Sequence, residues 1–316
     1  MTESFFDLKT QQPLSEITVA QGETKIVGIK KFDDKDVNVY TGDSNIAFAN
    51  KVLRFKDPSK RSYDNNYDYD KVLGESTTFE QNGSVFFQIC GHHKGPTALI
   101  ARFKNDPNGP PYAMSIGIKV TENKKQMSFN PAKPFDVLWS NHPYNPMREV
   151  DYLIKLPNGQ LLDTKSHPCY KATWLVGQCM IRFCEALNKS GVELTGMHGG
   201  KCGYQGKPHA HHFINPYDFE TWKGTKDAYV WEAKAPFEQE PMPGVAAHQF
   251  THGKRGVILF KNYFPTSKAK GDMGGGHIDL WNKERMGNTF SMPHPDEGLS
   301  AFVRSRKIVF WPMEPV

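Results

Sequence analysis

The second half of this chain is organised around one segment, Gly177-Gln178-Cys179-Met180-Ile181-Arg182-Phe183-Cys184-Glu185-Ala186-Leu187-Asn188-Lys189. Its apolar residues recur at helical spacing: Leu175, Met180, Phe183 and Leu187. Ser190-Gly191 follows and provides a stop signal. The pattern predicts a helix that begins at Thr173 or Gln178 and ends at Lys189, with Cys179 at or near its first turn.

A second segment complements the first: Gly274-Gly275-Gly276-His277-Ile278-Asp279-Leu280-Trp281. The part from His277 to Trp281 is typical of a strand. A thiol near a helix N-terminus ionises more readily, and an adjacent histidine stabilises the thiolate. A nucleophilic cysteine site also needs a polar group that orients the imidazole and donors for an oxyanion. Cys179 and His277 are therefore candidates for such a pair.

Composition is that of a folded globular protein. The 316 residues are 38% hydrophobic and 23% charged, which argues against a disordered or fibrous chain. The start, Met1–Asp7, lacks the basic head and apolar stretch of a secretory signal, so we expect any export to use another route. The formal net charge of +5 is mild, and we expect no nucleic-acid partner.

The first part of the chain has the pattern of an immunoglobulin-like β-sandwich. Short runs of alternating polar and β-branched or aromatic residues are separated by Gly, Asn, Asp and Pro. The predicted strands are Glu16–Ala20, Lys25–Ile29, Val37–Tyr40, Ser84–Ile89, Thr97–Phe103 and Ala113–Val120. This pattern predicts an all-β accessory domain.

Two polar segments set the expected limits of that domain. Asp57–Lys71 interrupts the strand pattern and is interpreted as a long surface loop. Thr121–Lys133 has few apolar residues and fits a linker. We therefore predict a β-sandwich domain at residues 1–130 and a second domain at residues 131–316.

Helices and strands mix in the second domain. Asn215 as cap and Pro216 at the first helical position predict a short helix from Pro216 to Trp222. Further strands are predicted at Gly256–Phe260, His277–Trp281 and Arg306–Trp311. A helix followed by an antiparallel sheet is an α+β arrangement.

Spacing alone leaves alternatives open. Cys179 can equally be a buried structural residue, because free cysteine is among the most buried residue types. Cys184 lies on a different helix face, which favours core packing. The run His209-Ala210-His211-His212 lacks a cysteine or carboxylate at ligand spacing, so we expect a solvated strand or loop there and no metal site. Cys169 and Cys202 are candidates for a disulfide.

Five sequence blocks follow one another in a defined order. They are Phe135–Pro143; Cys179 with Arg182 and Ala186-Leu187-Asn188-Lys189; Gly253–Phe260; Gly276-His277-Ile278-Asp279-Leu280-Trp281-Asn282; and Lys307–Trp311. This set resembles the fourth family of type VI secretion amidase effectors, which are peptidoglycan-cleaving toxins of the NlpC/P60-like papain superfamily. The resemblance covers about residues 135 to 313, and residues 1–130 have no counterpart in it.

The resemblance implies a papain-like catalytic domain that cleaves the amide between D-glutamate and meso-diaminopimelate in peptidoglycan peptide stems. Cys179 would attack the carbonyl, His277 would protonate the leaving amine, and water would release the acyl-enzyme. No cofactor is expected. The resemblance further implies delivery by a type VI secretion apparatus into the recipient periplasm. A component of that apparatus and a cognate immunity protein are the expected protein partners.

Two residues compete to orient His277. Asp279 is two residues along the same strand, about 7 Å away, which is too far for a direct bond unless the strand bulges. Asn288 would lie across a hairpin from His277, and the resemblance implies an acidic residue at about this position. We therefore favour Asn288 as the third catalytic residue, with Asp279 as the alternative. Gln178 and Gly276 are candidates for contacts with the oxyanion or the substrate.

Two other functions fit the same residues. An acyl-transferring cysteine enzyme would use the same catalytic group with an amine acceptor in place of water. A non-enzymatic envelope-binding module would rely on the β-sandwich and would not need the Cys179 thiol.

Overall fold

The computed structural model describes most of the chain. The described residues are 4–30, 37–55, 76–81, 83–103, 113–129, 134–142, 153–155, 161–163, 179–202, 212–232, 242–265, 273–287 and 297–314. Strands predominate in these segments, and a smaller number of helices lie between residues 135 and 304. The predicted α+β class is confirmed.

The chain divides into two compact units. The first comprises Met1–Lys124, Val230–Phe250 and Phe302–Lys307. The second comprises Lys125–Tyr229, Thr251–Ala301 and Ile308–Val316. Assignment of separate domains to residues 1–130 and 131–316 stays a prediction.

Strands make up the beginning of the first unit. They are β1 (Phe5–Asp7), β2 (Glu16–Ala20), β3 (Thr24–Lys30), β4 (Val37–Thr41), β5 (Ala47–Lys51), β6 (Leu53–Phe55), β7 (Ser76–Thr78), β8 (Glu80–Gln81), β9 (Ser84–Gly91), β10 (Gly95–Phe103) and β11 (Ala113–Thr121). All six strands predicted in this region are confirmed, with small extensions at their ends. The predicted surface loop at Asp57–Lys71 lies outside the described residues.

Most of these strands form two sheets. One has the order β1-β3-β9-β5, with β8 also paired to β9, and the other has the order β2-β11-β10-β4. β2 runs parallel to β11, whereas β10 and β11 are antiparallel. β6 and β7 form a separate two-stranded sheet.

The two larger sheets contribute to one hydrophobic core. Val27 and Ile29 come from the first sheet, and Ile17, Leu99 and Ile118 come from the second. The alternating burial along β2 follows from the period of two of a β-strand, which places every second side chain on the core face. Residue alternation in the sequence therefore reports which face of this sheet is buried.

The segment interpreted as a linker contributes to the core of the second unit. Met127 and Phe129 are buried there, and the Met127 N–H donates to the carbonyl of Pro312 at 2.7 Å. Lys125 Nζ donates to the carbonyl of Ala228 at 2.7 Å. The linker interpretation was wrong for these residues, because two apolar side chains suffice to anchor an otherwise polar segment.

The remaining elements lie after residue 134. The helices are α1 (Phe135–Asn141), α2 (Cys179–Lys189), α3 (Pro216–Lys223), α4 (Met242–Thr251) and α5 (Glu297–Arg304). The strands are β12 (Leu153–Lys155), β13 (Leu161–Asp163), β14 (Tyr229–Glu232), β15 (Arg255–Pro265), β16 (Met273–Asn282), β17 (Arg285–Met286) and β18 (Lys307–Pro312). The predicted helices at α2 and α3 are confirmed, and so are the predicted strands at β15, β16 and β18.

Local chemistry explains the start and end of α3. The Asn215 side chain accepts a hydrogen bond from the Tyr217 N–H at 3.1 Å, and Pro216 follows at the first helical position. Gly224 ends the helix with a φ of 67° and donates its N–H to the Glu220 carbonyl. Glycine suits this position, because left-handed backbone angles strain other residues.

A five-stranded sheet has the order β14-β18-β15-β16-β17. β15 and β16 are antiparallel, and Phe260 lies opposite His277. The pairing becomes irregular between Phe260 and Phe264, and Asn262 within this stretch has a φ of 53°. Such an irregularity changes the direction of nearby side chains.

Helix α2 packs its apolar face against β16. Met180, Phe183 and Leu187 share one hydrophobic cluster with Ile278 and Leu280. These helix positions are three and four residues apart and therefore lie on one face. This packing brings the first residue of α2 close to the middle of β16. None of the helices in the described part of the chain is long and apolar enough to cross a membrane.

The approach of β15 to β18 predicts a sensitive position. A Cβ atom on Gly256 would collide with the backbone carbonyl oxygen of Trp311. We expect Gly256→Ala to lower the free energy of unfolding by about 2 to 3 kcal/mol, because the backbone of a paired strand must move. Urea unfolding followed by tryptophan fluorescence measures this change.

Gly117 provides the matched control for that substitution. It also lies in a strand, but a Cβ atom there would meet no atom within 4 Å. Gly117→Ala should change stability by at most about 0.5 kcal/mol. Equal unfolding midpoints for the two variants would contradict the close approach at Gly256.

Candidate functional site

Cys179 is the first residue of α2 and is buried, with 5% of its surface exposed. Its sulfur lies 3.9 Å from the carbonyl oxygen of Gly276. The helix has no acidic residue in its first turn, so no carboxylate there opposes a negative charge on the sulfur. The predicted helix through Cys179 is confirmed, whereas residues 171–178 before it lie outside the described residues.

His277 lies in β16 beside that cysteine. Its ring is 3% exposed and lies 6.4 Å from the Phe260 ring, between centroids. The two side chains interact, because each shifts the pKa of the other. The two residues are distant in sequence, and the packing of α2 on β16 brings them together.

The pair favours a thiolate and an imidazolium. Burial raises the pKa of the Cys179 thiol, but the His277 charge, the hydrogen bond with His277 and the Ile278 N–H outweigh it and leave the pKa lowered. Burial lowers the pKa of His277, while Cys179 and Asp279 together raise it to about 10. Each group thus stabilises the charged form of the other near neutral pH.

Asp279 lies close to His277, although strand spacing predicted that they would be too far apart. The distance from His277 Nε2 to Asp279 Oδ2 is 3.7 Å. The pairing of β16 with β15 is regular at both residues, so no bulge is involved. The two side chains lie on the same side of the strand and lean toward each other. The predicted separation of about 7 Å considered backbone spacing and not side-chain reach, although 3.7 Å is still longer than a direct hydrogen bond.

Asp279 also contacts His142, a residue that sequence reasoning did not select. His142 directly follows α1 and is fully buried, and its Nε2 lies 3.0 Å from Asp279 Oδ1. The same carboxylate oxygen accepts the Leu280 N–H at 2.7 Å. Burial raises the pKa of Asp279, but His142 first and then His277 hold it well below its usual range.

A glycine leaves room for this contact. A Cβ atom on Gly287 would lie 2.9 Å from both Asp279 Oδ1 and His142 Nδ1. The only sequence signal for His142 was its place within the Phe135–Pro143 block. Neither residue periodicity nor ligand spacing distinguishes it from other histidines.

Two of the predicted site residues cannot be placed. Asn288 and Gln178 lie outside the described residues, so their proposed roles stay predictions. Gly276 is described, and its carbonyl oxygen lies 3.9 Å from the Cys179 sulfur. A Cβ atom on Gly276 would lie 2.5 Å from Tyr217 Cε1, so glycine lets α3 approach the strand beside the cysteine.

Cys184 differs from Cys179 although both belong to α2. It is fully buried in the hydrophobic cluster, as predicted. Burial raises the pKa of its thiol to about 12. One helix therefore carries a thiol with a lowered pKa and a thiol with a raised pKa.

The histidine run includes a buried member. His212 is 3% exposed, and its Nε2 lies 3.1 Å from Glu185 Oε2 while its Nδ1 lies 3.7 Å from Cys202 Sγ. The expectation of a solvated segment was therefore wrong for His212. His209, His211 and Cys169 lie outside the described residues, so the disulfide between Cys169 and Cys202 stays a prediction. Within the described ranges, no group of three or more His, Cys, Asp and Glu residues could hold a metal ion.

Solved structures show only weak similarity to this chain. The S-layer protein SbsC, domains 5-6, has 10% identity and a TM-score of 0.23 over 38% of this chain and 43% of that one. A chimeric titin Z1Z2 has 12% identity and a TM-score of 0.21 over 39% and 100% of the two chains. Fibronectin(III)-like modules of Clostridium thermocellum CbhA have 12% identity and a TM-score of 0.19 over 41% and 53%.

This chain spans between 17% and 45% of the length of the SbsC structures that it matches. No curated protein matches the chain.

A family model provides a specific match. The model described as "Type VI secretion system (T6SS), amidase effector protein 4" matches residues 176–311. The matched segment contains Cys179, His277 and Asp279, whereas His142 lies before it. The resemblance found from sequence motifs is thus confirmed over residues 176–311, which match the family of type VI secretion amidase effector protein 4.

Proposed function

We propose that this chain is a peptidoglycan amidase in which Cys179 is the nucleophile and His277 the general acid and base. The observation that carries the proposal is the buried Cys179–His277 pair, whose pKa values are shifted toward thiolate and imidazolium. A structural cysteine does not require such a partner. Strongly shifted groups that face each other are characteristic of catalytic sites.

The reaction follows from the charges of this pair. The Cys179 thiolate attacks the carbonyl carbon of a stem amide, and the carbonyl oxygen takes up the negative charge. The His277 imidazolium then gives its proton to the departing amine, and the C–N bond breaks to leave a thioester on Cys179. Neutral His277 next removes a proton from water, which attacks the thioester and releases the acid.

We infer that Asp279 supports the imidazolium of His277. The carboxylate is held in place by His142 and by the Leu280 N–H, so its charge has a fixed position. Because His277 Nε2 faces Asp279, Nδ1 is the ring nitrogen left to bond with the thiol. Asn288 remains the other candidate for orienting His277, since it follows the described strand β17 by two residues.

Backbone N–H groups are the natural donors for the oxyanion. Cys179 is the first residue of α2, and the first N–H groups of a helix have no partner within that helix. Gln178 would add a side-chain donor next to it, and Gly276 would border the substrate on the β16 side. Stabilisation of this kind is worth about 3 to 4 kcal/mol per donor in the transition state.

The proposal includes a fold for each of the two predicted domains. We infer a papain-like NlpC/P60 domain at residues 131–316, because a helix that begins with the nucleophile packs on the strand that carries the histidine. Two sheets around one core support an immunoglobulin-like sandwich at residues 1–130. The sandwich would serve either attachment to the envelope or loading into the secretion apparatus.

Family membership supports a specific setting for the activity. The protein would be delivered by a type VI secretion apparatus and act on peptide stems in the periplasm of a recipient cell. The scissile bond would be the D-glutamyl–meso-diaminopimelate amide. A cognate immunity protein would protect the producing cell by covering the site. An acyl transferase would share the same pair, and an added amine acceptor would then appear in the product.

Digestion of purified peptidoglycan sacculi tests the proposal. Soluble fragments identified by mass spectrometry should carry a new amine on diaminopimelate and a new carboxylate on D-glutamate. Muropeptides that stay intact after prolonged incubation would rule out the amidase. Fragments that contain the added amine would identify a transferase.

Two cysteines of the same helix make a matched pair of variants. Cys179→Ala should reduce turnover at least about 10⁴-fold, because the nucleophile is lost. Cys184→Ala should retain most activity and lose about 1 kcal/mol of stability through a small cavity. Initial rates on soluble muropeptides and urea unfolding measure the two effects. The opposite pattern would mean that the nucleophile has been misassigned.

Asp279→Asn should change the pH dependence of turnover. The variant loses a charge that raises the pKa of His277, so the imidazolium should deprotonate at lower pH and the alkaline limb of kcat/KM should move downward. We also expect kcat/KM at neutral pH to fall about 100-fold, while Cys179 can still be alkylated.

The exposed residue Asp227 supplies the control, since Asp227→Asn should leave the pH profile unchanged. An alkaline limb that stays in place in Asp279→Asn would show that Asp279 does not support His277. Asn288→Ala would then be the variant to compare.

A further inference from the structure

Three residues form a charged cluster beside Gly276. Lys261 Nζ lies 2.5 Å from Glu220 Oε2 and 4.6 Å from the centroid of the Tyr217 ring. The side chains of Lys261 and Glu220 are 22% and 13% exposed. The cluster is therefore mostly buried but still open to solvent.

The backbone of β15 is irregular at this cluster. Lys261 follows Phe260, the residue opposite His277, and Asn262 then adopts a φ of 53°. The Asn262 N–H donates to the Tyr217 hydroxyl at 3.2 Å, so this tyrosine of α3 stabilises the bend. A non-glycine residue in the left-handed region costs free energy and is found preferentially at functional sites.

Gly276 connects the cluster with the nucleophile. Its carbonyl oxygen lies 3.9 Å from the Cys179 sulfur, and a Cβ atom on it would lie 2.5 Å from Tyr217 Cε1. The Tyr217 ring thus lies against both Gly276 and the ammonium group of Lys261. Asp279, by contrast, lies beside His277 and contacts His142.

We propose that Lys261 binds a free carboxylate of the substrate next to the scissile amide. The inference rests on the proposed amidase function and names the substrate class: an acidic stem peptide in preference to its carboxamide form. An ammonium has three N–H donors. Glu220 occupies one, the Tyr217 face covers a second direction, and a third donor remains for a carboxylate.

Glu220 and Tyr217 serve as positioning residues for Lys261. A long, flexible side chain loses conformational entropy when it binds a ligand, and prior anchoring reduces that loss. A purely structural explanation also exists, in which the Lys261–Glu220 ion pair only attaches α3 to β15. The two explanations differ in substrate selectivity, which a structural ion pair would not affect.

Two synthetic stem peptides test the proposal directly. One carries a free carboxylate adjacent to the scissile amide, and the other carries a carboxamide at that position. Wild-type protein should show a kcat/KM ratio of about 10 in favour of the carboxylate. Lys261→Met should bring the ratio close to 1, and Lys261→Arg should restore most of it. Lys226→Met, at an exposed lysine, is the control and should keep the wild-type ratio.

Alkylation of Cys179 gives a readout that does not depend on amidase activity. The rate with anionic iodoacetate is divided by the rate with neutral iodoacetamide at low salt. Lys261→Met should lower this quotient about threefold, and Glu220→Gln should raise it by a similar factor. If Lys261 and Glu220 form only a structural ion pair, both substitutions should change this quotient in the same direction.

The outcomes separate the two proposals. If wild-type protein cleaves neither peptide, the amidase function fails. The alkylation quotients alone then show whether the charge of Lys261 attracts anions to Cys179. If the peptides are cleaved but Lys261→Met keeps the wild-type selectivity, the inference on Lys261 is overturned while the amidase stands. Selectivity lost in Lys261→Met and regained in Lys261→Arg supports the inference.

Discussion

The thiolate–imidazolium interaction between Cys179 and His277 is the constraint on which the site depends. Neither charge would be stable alone in a buried position, because burial opposes the ionisation of both groups. Together they stabilise each other. The pair exists only because α2 packs on β16, so the fold of this region and the chemistry of the site cannot be separated.

The surroundings of His277 extend this arrangement. Asp279 is a buried carboxylate flanked by two imidazoles, and it accepts a backbone N–H as well. Buried charged networks contribute little to stability on average, since desolvation cancels much of the attraction. In the proposed amidase, the fixed negative charge of this network would help His277 to hold its proton until the amine departs.

Local signals in the sequence predicted much of this region. The cap at Asn215, the apolar periodicity of α2 and the strand pattern of β16 each reflect physics within a few residues, and the structure confirms all three. The assignment of Cys179 and His277 needed motif order in addition. Spacing by itself does not distinguish a nucleophile from a core cysteine such as Cys184.

Long-range contacts were not predictable in the same way. His142 joins Asp279 from a helix far earlier in the chain, and nothing within its own segment marks that role. The distance between His277 and Asp279 depended on side-chain rotamers and not on strand spacing. Met127 and Phe129 lie in a polar segment, and only the completed core shows where their side chains pack.

An ultraviolet titration tests the ion pair most directly. Thiolates absorb in the far ultraviolet where thiols do not, and the difference between wild-type protein and Cys179→Ser isolates this one sulfur. We expect the thiolate signal at neutral pH, with loss only in acid and a midpoint well below the value of about 8.5 for a free cysteine. A signal that emerged only above about pH 8.5 would contradict the ion pair and the nucleophilic role of Cys179.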